Sequence, residues 1–188
     1  MTTNRAEKLR QRVRQFTWLF IVGLVLSGAT AIPLEREVGW LTRVTGADEM
    51  TEASAGIEAP VGARWLHAVR DALTETDRRH PFLFYGNDWL AFGHFVIAIA
   101  FIGALRDPVR NVWLFEFGLI ACALVIPYAL IFGAVRGIPL WWRLIDSSFG
   151  VLGAIPLWFC RRWTLELATA KETALPPITA QQQRLQPT

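Results

Sequence analysis

Three ionisable side chains stand inside apolar runs of this sequence: His94, Arg143 and Asp146. An imidazole beside a carboxylate can move a proton, because the carboxylate orients the ring for acid–base work. The same groups, set among Gly, Ser and Ala, could instead line a small polar cavity. Such a cavity would hold a lipid headgroup, a small ligand or a partner subunit. Asn87 and Ser147 fall on the same helical faces and join the candidate set, with Arg136 nearby. A second layer is made by Glu116 with Arg110 or Arg161, and reads as a structural ion pair near the opposite membrane face. Ionisable residues within a membrane are rare and expensive, so each requires either a function or a partner.

The elements that must position these groups follow from hydrophobic run length. A helix needs roughly 17–25 mostly apolar residues to cross hydrocarbon. Residues 16–34, 89–105, 112–135 and 138–160 meet that length, the last only if Arg143 and Asp146 are accepted inside it. The expected fold is therefore an all-α integral membrane protein, a bundle of four transmembrane helices, since an open sheet cannot satisfy its edges in lipid. At 100° per residue, Arg143, Asp146, Ser147, Gly150, Gly153, Ala154 and Leu157 share one arc of about 120°. Leu144, Val151, Leu152, Ile155 and Phe159 occupy the rest. The charged stripe should face inward, and the spacing of Arg143 and Asp146 brings them close enough to pair. On the second span Asn87, Ala91, His94 and Ala98 share a small polar face, and Phe92, Val96 and Ile99 a lipid-facing one. His94 and Asp146 enter from the same side to depths of roughly 7.5 and 6 Å.

Charge placement orients the chain. Arg5, Lys8, Arg10, Arg12 and Arg14 precede the first span, Arg106 and Arg110 fill the turn after the second, and Arg161, Arg162 and Lys171 follow the fourth. All of these lie on one side, which predicts a basic cytoplasmic tail over 1–15, a second cytoplasmic tail over 161–188 and both termini inside. The outer segment 35–88 carries ten acidic against six basic residues. Trp18, Trp113, Trp158 and Trp163 would form an inner belt, and Trp89, Trp141 and Trp142 an outer one. The start of the chain, with Ala29-Thr30-Ala31, also has the outline of a signal peptide. Its apolar run is longer than a signal peptide needs, and Gly23 with Ser27 has the small-xxx-small spacing of packed membrane helices. Retention is the expectation.

Residues 35–88 are too many for a plain connector. Gly46–Gly62 reads as flexible loop. An amphipathic helix over about 61–78 follows, opened by Pro60, with Trp65, Leu66, Val69, Ala72, Leu73 and Thr76 on its apolar arc. It would lie on the outer membrane face, cap the bundle, or belong to a small outer subdomain. His67 should face water, His80 before Pro81 should be extended, and the segment from Leu175 has the Pro/Gln-rich composition of disorder.

Other classes fit less well. The net charge of +3 is spread beside apolar runs, without the exposed basic-aromatic pattern of nucleic-acid binding. Two Cys lie 38 positions apart, which is neither a redox nor a metal-ligand spacing. No cofactor or metal is expected: bis-His haem would need a second intramembrane His. A proton relay would have to cross a gap between the layers that offers mainly Ala, Gly, Cys122 and Tyr128. The best reading is a binding or accessory protein. A membrane-embedded enzyme using His94 and Asp146 as an acid–base pair comes second, and a proton-coupled transporter third.

At GNDWLAFGHF and RDPVRNVWLFEFG the chain resembles small bacterial inner-membrane proteins with four transmembrane helices and no assigned function. The resemblance runs from about residue 80 to 160. It implies the bundle and a bacterial source, and transfers no activity or site residue. The topology is also similar to DoxX-like and sterol-isomerase-like groups, without matching motifs.

Overall fold

The computed structural model describes residues 3–46 and 60–174. The expected flexible loop falls mostly on 47–59 and the expected disordered segment begins at Leu175, both outside the described residues. Among the described residues six α-helices follow one another: α1 (Thr3–Ala31), α2 (Leu34–Val44), α3 (Val61–Arg79), α4 (Tyr85–Arg106), α5 (Val112–Val135) and α6 (Leu140–Ala174), with a 3₁₀ turn at Pro81–Phe84. Among the described residues, α1, the 3₁₀ turn with α4, α5 and α6 are the helical segments long and apolar enough to cross a membrane. Their exposed sides carry Leu19, Leu26, Phe92, Ile99, Ile120, Leu124, Leu152 and Ile155. Side chains of that kind have no favourable place in water over so continuous a surface.

The helix ends have local causes. α1 stops at Ala31, two residues before Pro33, because the residue preceding a proline is pushed out of helical backbone. α3 starts at Val61 directly after Pro60 and ends at Arg79, where His80 before Pro81 leaves the helical region at φ −141°, ψ 55°, short of the extended backbone expected. α4 ends at Arg106 before Asp107-Pro108. Asn111 Nδ2 then donates to the carbonyls of Gly103 (3.1 Å) and Asp107 (2.9 Å), and the Arg110 N–H donates to Asp107 Oδ1 at 3.1 Å. α5 ends in a Schellman turn: Gly137 sits at φ +71°, its N–H donates to Ala134 O, and the Ile138 N–H donates to Gly133 O.

The helices extend well beyond the apolar runs. The basic residues before position 16 are already helical, and the segment 161–174 continues α6 without a break. With 35 residues α6 is about 52 Å long, against a hydrocarbon core of about 30 Å. Helix α2 occupies a part of the 35–88 segment for which the sequence reading named no element.

The fold divides into two compact units. The first contains Met1–Ile21 and Ile99–Thr188. There the start of α1 runs antiparallel to the end of α6: Arg5 Nη2 lies 3.6 Å from Glu166, Arg12 stands over the Trp163 ring, Phe16 meets Trp163 edge-on at 5.2 Å, and Thr17 Oγ1 is 3.7 Å from Cys160 Sγ. Leu9, Val13, Thr17, Cys160, Thr164 and Leu167 are buried. Phe101 at the end of α4 packs on Phe20 and Phe115. Helices α5 and α6 form a tight hairpin in which Gly150 lies against the Cys122 carbonyl and Gly118 against Leu157 and Phe101. A larger side chain at Gly150 would meet the α5 backbone and push these helices apart, whereas one at Gly118 would displace the Leu157 and Phe101 side chains.

The second unit contains Val22–Ala98. α2 packs on α3, with Val38, Thr42 and Leu66 buried and Thr74 Oγ1 donating to Glu35 at 3.4 Å. The end of α1 packs on α4 at Gly28, where an added Cβ would lie 2.8 Å from Phe95 and 3.0 Å from the Ala91 carbonyl. The small-residue contact expected at Gly23 and Ser27 is thus displaced to Gly28; nothing lies within 4 Å of a Cβ at Gly23. His67 also departs from expectation. Its side chain is 18% exposed and its Nδ1 lies 3.1 Å from Asp71 Oδ2, because the carboxylate one turn on folds over the ring.

Candidate polar sites in the membrane helices

The candidate residues are distributed between the two units. Asn87 and His94 lie in the second; Arg143, Asp146, Ser147, Glu116, Arg110 and Arg161 lie in the first.

On α4, Ala91 and Ala98 are buried while Phe92, Val96 and Ile99 are exposed, so the two faces divide as the periodicity predicts. His94 is half-buried on the inner side, and its Nδ1 is 2.8 Å from the Leu90 carbonyl one turn earlier. A carbonyl only accepts, so Nδ1 carries the proton and Nε2 is the basic nitrogen of the neutral ring. Asn87 Nδ2 donates to the carbonyl of Ala31, the last residue of α1. That oxygen is among those a helix end leaves without an intrahelical donor. Asn87 therefore ties the end of α1 to the start of α4.

On α6, Ser147, Gly150 and Leu157 are buried and Arg143, Asp146, Gly153 and Ala154 half-buried, whereas Leu144, Val151, Leu152, Ile155 and Phe159 are exposed. The charged stripe faces inward. The Schellman turn reverses the chain so that Arg143 lies back along α5. Its Nη1 donates to the Leu130 carbonyl at 3.0 Å, and its methylenes fill the space beside Gly133. Among the described residues Asp146 makes no ion pair, and the i, i+3 spacing does not bring Arg143 to it. Arg143 Nε and Trp141 Nε1 are buried without an acceptor among the described residues. Ser147 Oγ donates to the Arg143 carbonyl at 2.8 Å, a back-bond within its own helix.

Compared with known proteins, the chain matches no family model, no curated protein and no solved structure.

The second layer is simpler. Arg161 Nε donates to Glu116 Oε1 at 2.9 Å, joining α6 to α5, with both side chains partly exposed. Arg110 contributes its backbone N–H to the α4–α5 turn, and its side chain is exposed.

Two features had no signal in side-chain type. The acceptor for Arg143 is a backbone carbonyl, and the pocket for its methylenes is the missing side chain of Gly133. Between α5 and α6 there is also an apolar groove of about 490 Å³, lined by Cys122, Ala123, Ile126, Gly150, Ala154 and Trp158 among others. It follows from the close approach at Gly150, which holds the backbones together and leaves the flanking larger side chains splayed.

Proposed function

We propose that this chain is a multi-pass protein of a bacterial inner membrane, with both termini cytoplasmic, that acts by binding rather than by catalysis. Its ligand or partner engages the polar segment Arg143–Ser147 near the outer leaflet, and His94 and Asn87 of α4 are the further candidates by sequence. One observation carries this reading: Asp146 lies on the inward stripe of an apolar helix and makes no ion pair among the described residues, while Arg143 donates to the Leu130 carbonyl of α5. An intramembrane carboxylate is costly unless something pairs with it. A lipid headgroup, a small ligand or a partner subunit that brings a cation would supply that pair.

The orientation is supported by the antiparallel pairing of α1 with the end of α6, which puts the basic segments before position 15 and after position 160 at one end of the first unit. Retention of the first span is supported by the Gly28 contact and the Asn87 bond to Ala31, both of which cleavage after Ala31 would remove.

The decisive experiment is purification in mild detergent with mass spectrometry of co-purified material. The wild-type protein should retain a lipid, ligand or protein partner, and Asp146→Asn and His94→Ala should insert normally and lose it. Unchanged retention by both variants would make the polar segment structural. Reporter fusions should read cytoplasmic at both termini and extra-cytoplasmic within 47–59, and N-terminal sequencing should find the first span present.

A further inference from the structure

At the opposite end of the first unit, the basic residues divide into two groups. Some are engaged by the protein itself: Arg5 and Arg162 approach Glu166 at 3.6 and 3.8 Å, Arg161 bonds Glu116, and Arg12 covers the Trp163 ring. Arg10 and Arg14 are exposed and make no ion pair among the described residues. They share one face of α1 with Glu7, Gln11, Gln15 and Trp18, and this face forms a shallow recess of about 380 Å³. The opposite face of the same helix, Leu9, Val13 and Thr17, is buried. The recess therefore sits on a helix whose position is already fixed.

We infer that this face binds the phosphodiester headgroup of an anionic phospholipid in the leaflet at the N-terminal end of α1. The argument is one of charge and register. Counting the described side chains of this end, Arg5, Lys8, Arg10, Arg12, Arg14, Arg106, Arg110, Arg161, Arg162 and Lys171 face only Glu7, Asp107, Glu116 and Glu166. Arg10, Arg14 and Trp18 follow one another at one-turn intervals, about 6 Å apart along the axis. Trp18 begins the apolar run, and an indole there sits at headgroup level. Arg14 then lies one turn outside it, at the depth of the phosphates, where a guanidinium can offer paired N–H donors to phosphate oxygens. The Gln11 and Gln15 amides add neutral donors. Glu7 closes the far end and repels the anion, keeping it beside Arg14 on the membrane side. A lipid carrying net negative charge is favoured over a zwitterionic one, whose ammonium would be brought against the same arginines. This inference does not depend on the polar segment at the start of α6.

The test is binding of phosphatidylglycerol and phosphatidylcholine to the full chain in mild detergent, read as bound lipid by native mass spectrometry. The wild type should prefer phosphatidylglycerol. Replacing both arginines in R10Q/R14Q should weaken its binding roughly thirtyfold, and Arg14→Gln alone about fivefold. The control R5Q/R162Q removes the same charge from residues engaged with Glu166 and should keep most of the preference. Equal retention of the two lipids by the wild type would overturn the inference. So would an equal loss in the control variant, which would show a general charge effect and no particular face. Inorganic phosphate should leave the lipid bound; displacement by it would mark a free-anion site and sink the lipid assignment.

Discussion

Arg143 occupies the space that a side chain at Gly133 would need. A Cβ at Gly133 would stand 2.5 Å from its Cδ and 2.6 Å from its Cγ, while its Nη1 reaches one turn further back to the Leu130 carbonyl. The pair explains how a cation is accommodated in a membrane helix: its stem is packed in a glycine notch and its head is bonded to backbone.

That relationship is testable by a double-mutant cycle. Gly133→Ala should destabilise the protein by about 1–3 kcal/mol, the usual range for overpacking. Arg143→Ala should also destabilise it, by removing the bond to Leu130. In the double variant the Ala methyl has nothing to meet, so the combined loss should fall short of the sum. Thermal unfolding in detergent measures all three, and strict additivity would show that the notch and the side chain are independent.

Two glycines of α1 should behave oppositely. At Gly28 a methyl would meet Phe95, a backbone carbonyl and the Cβ of His94 at 2.8–3.1 Å, and the carbonyl cannot be turned aside. Gly28→Ala should lower stability by roughly 1–3 kcal/mol. At Gly23 nothing lies within 4 Å, so Gly23→Ala should be neutral or should gain up to about 1 kcal/mol from helix propensity. Equal melting shifts for the two variants would contradict the packing of α1 on α4.

The Glu116–Arg161 pair should contribute modestly. Its side chains are 44% and 35% exposed, so solvent screens the 2.9 Å contact. Glu116→Gln should cost about 0.5–1 kcal/mol, and a cycle with Arg161→Gln should recover a coupling of that size which shrinks as salt is added. A coupling several times larger would mean the pair lies deeper in the membrane than its exposure indicates.

Much of this architecture was legible because hydrocarbon constrains sequence so strongly. Run length gave the four spans, and the inward stripes of α4 and α6 followed from periodicity, with Ala91, Ala98, Ser147 and Leu157 all buried. Contacts made by absence were harder. Gly23 and Ser27 have the right spacing on paper, but close approach depends on which face a neighbour meets, and that face carries Gly28. Helix α2 was readable in principle from Leu34, Val38, Leu41 and Thr42, a helical spacing obscured by the surrounding charges. His67 was misplaced because the hydrophobic arc treats imidazole as polar, while Asp71 gives it a partner that lets it be covered. The pairing expected of Arg143 and Asp146 failed for another reason: Arg143 bonds a backbone carbonyl on a different helix, and no side-chain pattern announces a carbonyl.

Helix α6 carries Arg143 in its first turn and Glu166 about two turns before its end, on one continuous helix with Pro156 inside it. Proline withdraws one N–H from the ladder, leaving the Leu152 carbonyl without its helical donor and the rod a single point of compliance. α6 is thus most easily bent at Pro156, between its two charged ends.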